Sequence, residues 1–531
     1  MSNGRELFYL QDAQPLTISK VGVSYATRVI YLIAGFSIFR LILGSAIELG
    51  NDEAYYWLYT QQLQWNYFDH PPMVALFGKV FTLGLRFEQY EVMVRLGSFV
   101  SAACSTWFLY KATTIFHSSR AGWMAALLFN TSYYASLIAG LFIMPDSPQM
   151  FFWTLNLFLL ARLVRVNDRS WRDWILFGVA AGFCIMSKVH GAFIWIGTGL
   201  FVILLKRNWL QQPHIYVAAL LTLLVVSPLL LWNIQNQFVT FHFHSNRVVV
   251  QGFNLNEHHF RNELFGQIFV NNPVNVALIV LSLTTARKLL KPFIKNISIL
   301  LFIGVPLILI LLFVSLFRPV LPHWSGPAYV SLLPAAAIVL SEVKPGLAFP
   351  SWLKWSTAAF LIFAIMWPLV VKMYPGTWGS RAAIDYGRGD VTLDRYGWKE
   401  AGEAFMDFYE KETTEGKLPP NIPVVTHKWW GAHVEYYFAR PAGLTMMGLG
   451  RMQDVGTYLW LNDERREKVD MSQAISIIPS DEHVNPEKFF MRYYQEIHLI
   501  HQIDVWRNGK KAKHYSVYLL KGWRGLFPEV E

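Results

Sequence analysis

Two adjacent carboxylates stand at the end of the first long apolar run, in Asn51-Asp52-Glu53-Ala54-Tyr55-Tyr56-Trp57. A carboxylate placed there could act as the base of a group-transfer reaction. The alternative is that it merely marks the outer edge of a membrane span. Successive helical residues point about 100° apart, so only one of Asp52 and Glu53 is expected to face a given ligand. Tyr56, Tyr59 and Leu63 would share a helical face. That pattern suits a helix lying at the membrane interface, with Tyr and Trp at headgroup depth. The double proline of Trp65-Asn66-Tyr67-Phe68-Asp69-His70-Pro71-Pro72 predicts a break before a second interfacial helix near Met73.

The elements that must hold these residues are membrane spans. Hydrophobic residues make up 53% of the 531-residue chain, aromatic residues 16% and charged residues 15%, well under the roughly 25% charged of soluble domains. A net charge of +10 could serve nucleic acid. The basic residues, however, fall in short clusters between apolar runs and form no patch, so no nucleic-acid partner is expected. The two cysteines, Cys104 and Cys184, both lie in apolar runs and offer neither a disulfide framework nor a zinc set. Runs able to cross the bilayer fall near 27–48, 92–110, 121–140, 148–165, 173–188, 190–205, 214–232, 265–284, 297–317, 325–341 and 352–371, about eleven spans. The apolar run after the polar first 24 residues is too long for a signal-peptide core and reads as a retained span.

Lys and Arg set the orientation. Basic clusters at Lys111 and Arg120, Arg162 to Arg172, Lys206 and Arg207, Arg287 to Lys295, and Lys344 and Lys354 alternate with basic-poor loops. By the positive-inside rule the N-terminus is cytoplasmic and loops 49–91, 141–149, 233–264 and 318–324 are outside. The predicted organisation is a transmembrane domain over 1–371 and, past a Gly-rich linker at 374–388, an extracytoplasmic soluble α/β domain over 372–531. Strands at 422–426 and 515–520 and a helix at 399–412 are expected there.

Asp52-Glu53 after the first span, followed by His70-Pro71-Pro72, resembles the first-loop signature of the protein O-mannosyltransferase and bacterial lipid A aminoarabinose transferase superfamily, which has the GT-C glycosyltransferase fold. Other similar segments are Met144-Pro145-Asp146-Ser147-Pro148, Ser187-Lys188, Leu231-Trp232-Asn233 with Phe241-His242-Phe243, and Pro322-His323-Trp324-Ser325-Gly326-Pro327-Ala328-Tyr329. The resemblance spans about residues 25–345. It implies transfer of a sugar from a polyprenyl-phosphate donor to an acceptor on the outer side: lipid A, a surface glycan or a protein. Where the aminoarabinose branch has a Lys, this chain has His70, so the resemblance leaves the sugar open.

Displacement at the anomeric carbon of such a donor needs a base but no strong acid, because the phosphate leaves readily as an anion. Asp52 is the candidate base and Glu53 its orienting partner, with inversion at the anomeric centre. The departing phosphate calls for fixed cations. Arg95, Lys188 and Arg247 are the candidates, with His70 and His323 as donor contacts. The alternatives are that Arg95 snorkels to headgroups or pairs with a carboxylate, and that the histidines stabilise turns. Tyr55, Tyr56 and Arg261 are candidates for acceptor or lipid contact. Arg40, about 18 Å along the helix from Asp52, reads as a structural ion-pair partner, and Asp146 as a helix cap. His242, His244, His258 and His259 lack the spacing of a metal motif, so neither a cofactor nor a divalent metal is expected. Trp429 and Trp430 suit sugar stacking or a core edge. The resemblance further implies a monomeric protein of the bacterial inner membrane. The rival reading is a lipid or sugar transporter or flippase, against which stands the lack of internal repeats.

Overall fold

The structure is a computed structural model that describes residues 23–249, 254–285, 294–342, 349–482 and 484–527. Arg287, Lys288, Lys291 and Lys344, which contribute to the expected orientation, lie outside those residues. Helix α1 (Tyr25–Ala46) buries Val29, Arg40, Leu43 and Gly44 and leaves Ile30, Ile38 and Ile42 exposed, as suits a helix with one side to lipid. The first outer loop then forms two short helices, α2 (Asn51–Tyr59) and α3 (Met73–Phe81).

The bundle continues with α4 (Glu91–Phe116), α5 (Ser119–Thr131), α6 (Asp146–Arg165), α7 (Trp171–Ser187), α8 (Phe193–Leu205), α9 (Pro213–Gln235), α10 (Val239–Val248), α11 (Glu257–Val270), α12 (Pro273–Thr285), α13 (Ile294–Ser315), α14 (Gly326–Glu342) and α15 (Phe349–Met373). Among the described residues, six helical segments are long and apolar enough to cross a bilayer: Tyr25–Ala46, Glu91–Phe116, Pro213–Gln235, Ile297–Ser315, Pro322–Glu342 and Ser351–Met373. The others expected as spans are shorter or more polar, and they pack into one core that includes Trp153, Leu157, Trp174 and Phe177. Two expectations need correction. The span expected at 265–284 is a bent pair, α11 and α12, turning by 96° at Asn271-Asn272. The span expected at 121–140 ends as an α-helix at Thr131 and finishes in a π-turn at Tyr134–Ile138. That break frees polar groups for Arg40, which donates to Ser136 O (3.3 Å) and Asn130 Oδ1 (3.1 Å) rather than to a carboxylate.

Beyond α15 the chain forms the expected α/β domain, with α16 (Trp398–Thr414) against a five-stranded sheet. Its strands are β1 (Val424–Thr426), β2 (Met446–Gly448), β3 (Gln473–Pro479), β4 (Tyr494–Arg507) and β5 (Lys510–Trp523), in the order β2-β1-β3-β5-β4. β1 runs parallel to β2 and β3, whereas β5 runs antiparallel to β3 and β4. The β4–β5 hairpin turns on Asn508-Gly509 with φ of 46° and 77°, the left-handed pair that a tight two-residue turn requires.

The soluble domain shares its core with the first outer loop. Tyr55, Tyr56, Trp57, Leu58 and Tyr59 belong to the same buried cluster as Trp398, Phe405, Phe438 and Tyr458. Every residue from Glu53 to Tyr59 is buried. The aromatic residues of α2 therefore meet protein rather than the headgroups expected from their spacing. Leu63 lies beyond the end of α2 and is 45% exposed. Polar contacts fix the join: Leu49 N donates to Tyr437 Oη (2.8 Å), Asn51 N to Asp394 Oδ1 (2.9 Å) and Trp398 N to Glu48 Oε2 (2.8 Å).

Candidate active site

The two adjacent carboxylates face different ways. Glu53 is fully buried and accepts from Arg95 Nε and Nη2, both at 2.8 Å. It also accepts from Gly50 N at 3.0 Å, which closes the first turn of α2. Arg95 directs its remaining N–H groups to Gly44 O (2.7 Å), Ile47 O (2.7 Å) and Glu48 O (2.8 Å). All five guanidinium N–H groups are thus engaged inside the protein. Arg95 is not placed for a donor phosphate, and Glu53 orients neither Asp52 nor an acceptor. Together they pin α2 to α1 and α4. Arg395 of the soluble domain reaches Glu53 Oε2 at 3.4 Å. It passes so close to Gly50 that a Cβ there would lie 2.5 Å from its guanidinium.

Asp52, one residue earlier and on a different side of α2, opens into a cavity of about 210 Å³. Its carboxylate is exposed to the cavity and has no protein hydrogen bond or ion pair among the described residues. Protein nevertheless surrounds that cavity. Burial raises the Asp52 carboxyl to about 6; Asp394, Asp69 and Glu53 add to the rise and Arg395 opposes it.

The cavity wall comes from several outer loops. Tyr55, Tyr56, Phe68, Asp69 and His70 line it from the first loop, Met144 and Asp146 from the start of α6, and Lys188 from the α7–α8 turn. Leu321, His323 and Trp324 enter before α14, and Phe243 and Arg247 from α10. Sequence reasoning passed over Asp69 as a functional residue, although it stands beside His70 in the first-loop motif. Its carboxylate accepts from the hydroxyls of Tyr59 and Tyr55, and burial raises it to about 6 against those bonds and the charge of Arg247. Burial first, then Lys188 and His244, push His70 well below its ordinary range, so it is neutral.

Two cations in the cavity differ in their freedom. Lys188 donates to both oxygens of Asp146, at 3.0 and 2.8 Å, and both residues are buried. Asp146 also accepts from Tyr134 Oη (2.9 Å) and makes no cap bond to α6, so the expected cap is an ion-pair partner instead. Arg247 is exposed to the cavity and has no ion pair among the described residues. Its guanidinium carbon lies 4.5 Å from the centre of the Phe243 ring. α10 is seated on the first loop by Thr240 Oγ1 donating to Tyr67 O (3.0 Å) and by His244 Nε2 contacting Asp69 O (2.7 Å). Arg261 lies outside the cavity, exposed on α11 and paired with Glu257 at 3.3 Å.

The soluble domain closes the cavity with Trp429, Gln453 and Gly456. Trp429 stands edge-on to Tyr55 with ring centres 5.6 Å apart, whereas Trp430 is buried in the core. Gly456 has φ of 55°, and a Cβ there would meet Tyr55 Oη at 2.4 Å. Among the described residues no group of three His, Cys, Asp or Glu side chains is arranged to hold a metal ion.

Comparisons with known proteins bear on the fold. Residues 69–232 match the family model described as dolichyl-phosphate-mannose-protein mannosyltransferase. Over 211 residues the chain is 23% identical to the lipid A galacturonosyltransferase RgtD of Rhizobium johnstonii, a stretch covering 39% of this chain and 44% of that relative. The match therefore spans less than half of the curated relative's length. The crystal structure of ArnT from Cupriavidus metallidurans in the apo state superimposes with a TM-score of 0.62 at 12% identity, over 93% of this chain and 98% of that one. The chain has the GT-C fold. The same ArnT bound to undecaprenyl phosphate gives a TM-score of 0.60 at 13% identity, with the same coverage of both chains. In this GT-C chain the match covers 93% of the residues and so takes in most of the soluble domain.

Proposed function

We propose that the protein is a membrane glycosyltransferase that moves a sugar from a polyprenyl-phosphate donor to an acceptor hydroxyl or phosphate on the extracytoplasmic side, without a divalent metal. The observation that carries this reading is one cavity lined by both Asp52, whose carboxylate has no hydrogen bond or ion pair among the described residues, and Arg247, which has no ion pair among them. The similarity to a dolichyl-phosphate-mannose-protein mannosyltransferase family model and to ArnT bound to undecaprenyl phosphate supports the donor class. The acceptor is lipid A, another surface glycan or a protein. The N-terminus is cytoplasmic, and the cavity and soluble domain lie outside the cytoplasm.

The acceptor O–H gives its proton to Asp52 as its oxygen bonds to the anomeric carbon. The bond from that carbon to the donor phosphate oxygen breaks, and the polyprenyl phosphate leaves with the electron pair, so the configuration inverts. Arg247 neutralises charge gathering on the phosphate, where a fixed cation in a poorly solvated site does most. Neutral His70 and His323 contribute hydrogen bonds without competing for the phosphate charge. The free oxygen of Asp69 accepts from sugar hydroxyls. The Lys188–Asp146 pair holds the cavity floor.

The test is a transfer assay with purified protein, polyprenyl-phosphate sugars and extracted acceptors. Asp52→Asn should lose at least about a hundredfold in rate, the size of a general-base contribution, at normal membrane abundance. Product of inverted configuration is expected by NMR. Undiminished transfer by Asp52→Asn would remove the proposed base, and lipid or sugar translocation without transfer would replace the reading with transport. A chelator should leave the rate unchanged; loss restored by added divalent metal would contradict the metal-free mechanism.

A further inference from the structure

The rim of the soluble domain is fastened to the last turn of the final span. Arg507, fully buried at the end of β4, donates to Val371 O (3.0 Å) and Gly376 O (2.8 Å), and also to Thr392 Oγ1 (2.7 Å) and Asp390 Oδ2 (2.9 Å). Asn508 Nδ2, at the hairpin turn, donates to Met373 O at 3.0 Å. The segment Ser351–Met373 is 23 residues long, and an 18-residue stretch of it has mean hydropathy 1.8 with only 22% of that stretch buried. The hairpin tip and the 374–392 segment wrapped around Arg507 are therefore held at the level where this lipid-facing helix leaves the bilayer.

Large apolar side chains stand uncovered at that level. Met373, Trp378 and Trp506 are exposed, and Ile384 and Val391 are 75% and 78% exposed. Lys372, Arg381, Arg388 and Lys510 are exposed among them. Of the nearby carboxylates, Asp385 accepts from Ser380 Oγ (2.6 Å), Asp504 pairs with Lys511 Nζ (2.7 Å) and Glu482 lies within the field of Arg388. In water such a cluster of apolar side chains invites aggregation. At a bilayer surface, Trp with basic residues is the composition that settles among anionic headgroups.

We infer that residues 372–391 and the hairpin tip at Trp506 form a membrane-contact rim that seats the soluble domain in the phospholipid headgroups of the leaflet from which α15 emerges. Trp378, Trp506 and Ile384 enter the headgroup layer, and the four cations meet lipid phosphates. The rim fixes the height of Trp429 and Gly456 over the cavity, and it stands independently of the reaction performed there.

The test uses the full-length chain with Cys104→Ser and Cys184→Ala, carrying a nitrobenzoxadiazole label on Trp378→Cys or Ile384→Cys, in nanodiscs of phosphatidylcholine and phosphatidylglycerol. The control label sits on Lys417→Cys, past the far end of α16, whose first residue contacts Glu48 and whose length is about 25 Å. Lipids spin-labelled near the headgroup should quench the labels at 378 and 384 at least about threefold more than the control. Charge reversal by Arg381→Glu with Lys510→Glu should reduce that quenching. Quenching equal to the control at both sites would overturn the proposal. A measurement on the unsubstituted protein guards against misfolded variants: in nanodiscs, hydroxyl radicals should oxidise Met373 at least about threefold more slowly than the exposed Met491, and equal rates would overturn it as well.

Discussion

Arg95 grips Glu53 through two 2.8 Å hydrogen bonds, and neither side chain touches solvent. The contact joins the fourth helix to the short helix that presents Asp52. Removing one member of such a pair strands a buried charge, at about 3–5 kcal/mol. Glu53→Gln and Arg95→Met should therefore each lower the melting temperature of the purified protein and its membrane abundance. Asp52→Asn should leave both intact. Loss of activity in Glu53→Gln with an unchanged melting curve would assign Glu53 to the chemistry after all.

The rate should depend on pH through the base. Asp52 acts only when ionised, and its carboxyl lies at about 6. kcat/KM should then rise with pH through about 6 and level off above it. Asp69 contributes to that elevation and itself sits near 6. Taking away the Asp69 charge makes ionisation of Asp52 easier, and Asp69→Asn should shift the ascending limb to lower pH. An unmoved limb would mean that another group sets the profile.

Arg247 should govern use of the donor. Arg247→Ala is expected to lower kcat/KM for the polyprenyl-phosphate sugar by about a hundredfold, in line with removal of one fixed transition-state donor. Arg247→Lys should recover part of it, since the charge remains but the planar fork is lost. Equal donor kinetics in Arg247→Ala and wild type would place the phosphate elsewhere in the cavity.

Closure by the soluble domain should be sensitive to one hydrogen atom's replacement. At Gly456 an added methyl collides with Tyr55 Oη and meets a backbone of φ 55° and ψ −126° that alanine disfavours, a cost of about 1–3 kcal/mol for the backbone alone. Gly456→Ala should lower activity. Adding Tyr55→Phe, which removes the colliding oxygen, should restore part of it. Full activity in Gly456→Ala would show that the cover yields without consequence.

Much of this layout was legible in the chain. The apolar runs gave the helices, and the 100° offset between neighbours implied that Asp52 and Glu53 could not share a ligand. The bend at Asn271-Asn272 carried a signal, Asn-Asn-Pro inside the expected span, that went unread. For Arg95 the chain leaves a donor phosphate, headgroups and a carboxylate partner all open. That Glu53 and three carbonyls occupy it is a matter of packing between distant segments. Asp69 carried a signal, its place beside His70, that went unread. Arg395 and Gly456 carried none, because their partners at Glu53 and Tyr55 lie hundreds of residues away and only the docked domain brings them close.

The continuous core that runs from Tyr55 and Trp57 into Phe405 and Phe438 makes the C-terminal region a poor candidate for modular exchange. Cut away and produced alone, it would present a raw apolar wound where α2 belongs. A chain truncated after α15 would leave that helix naked to water. Chimaeras between relatives should therefore carry residues 49–91 and 372–531 from one parent, because the two stretches function as halves of a single folding unit interrupted by a membrane.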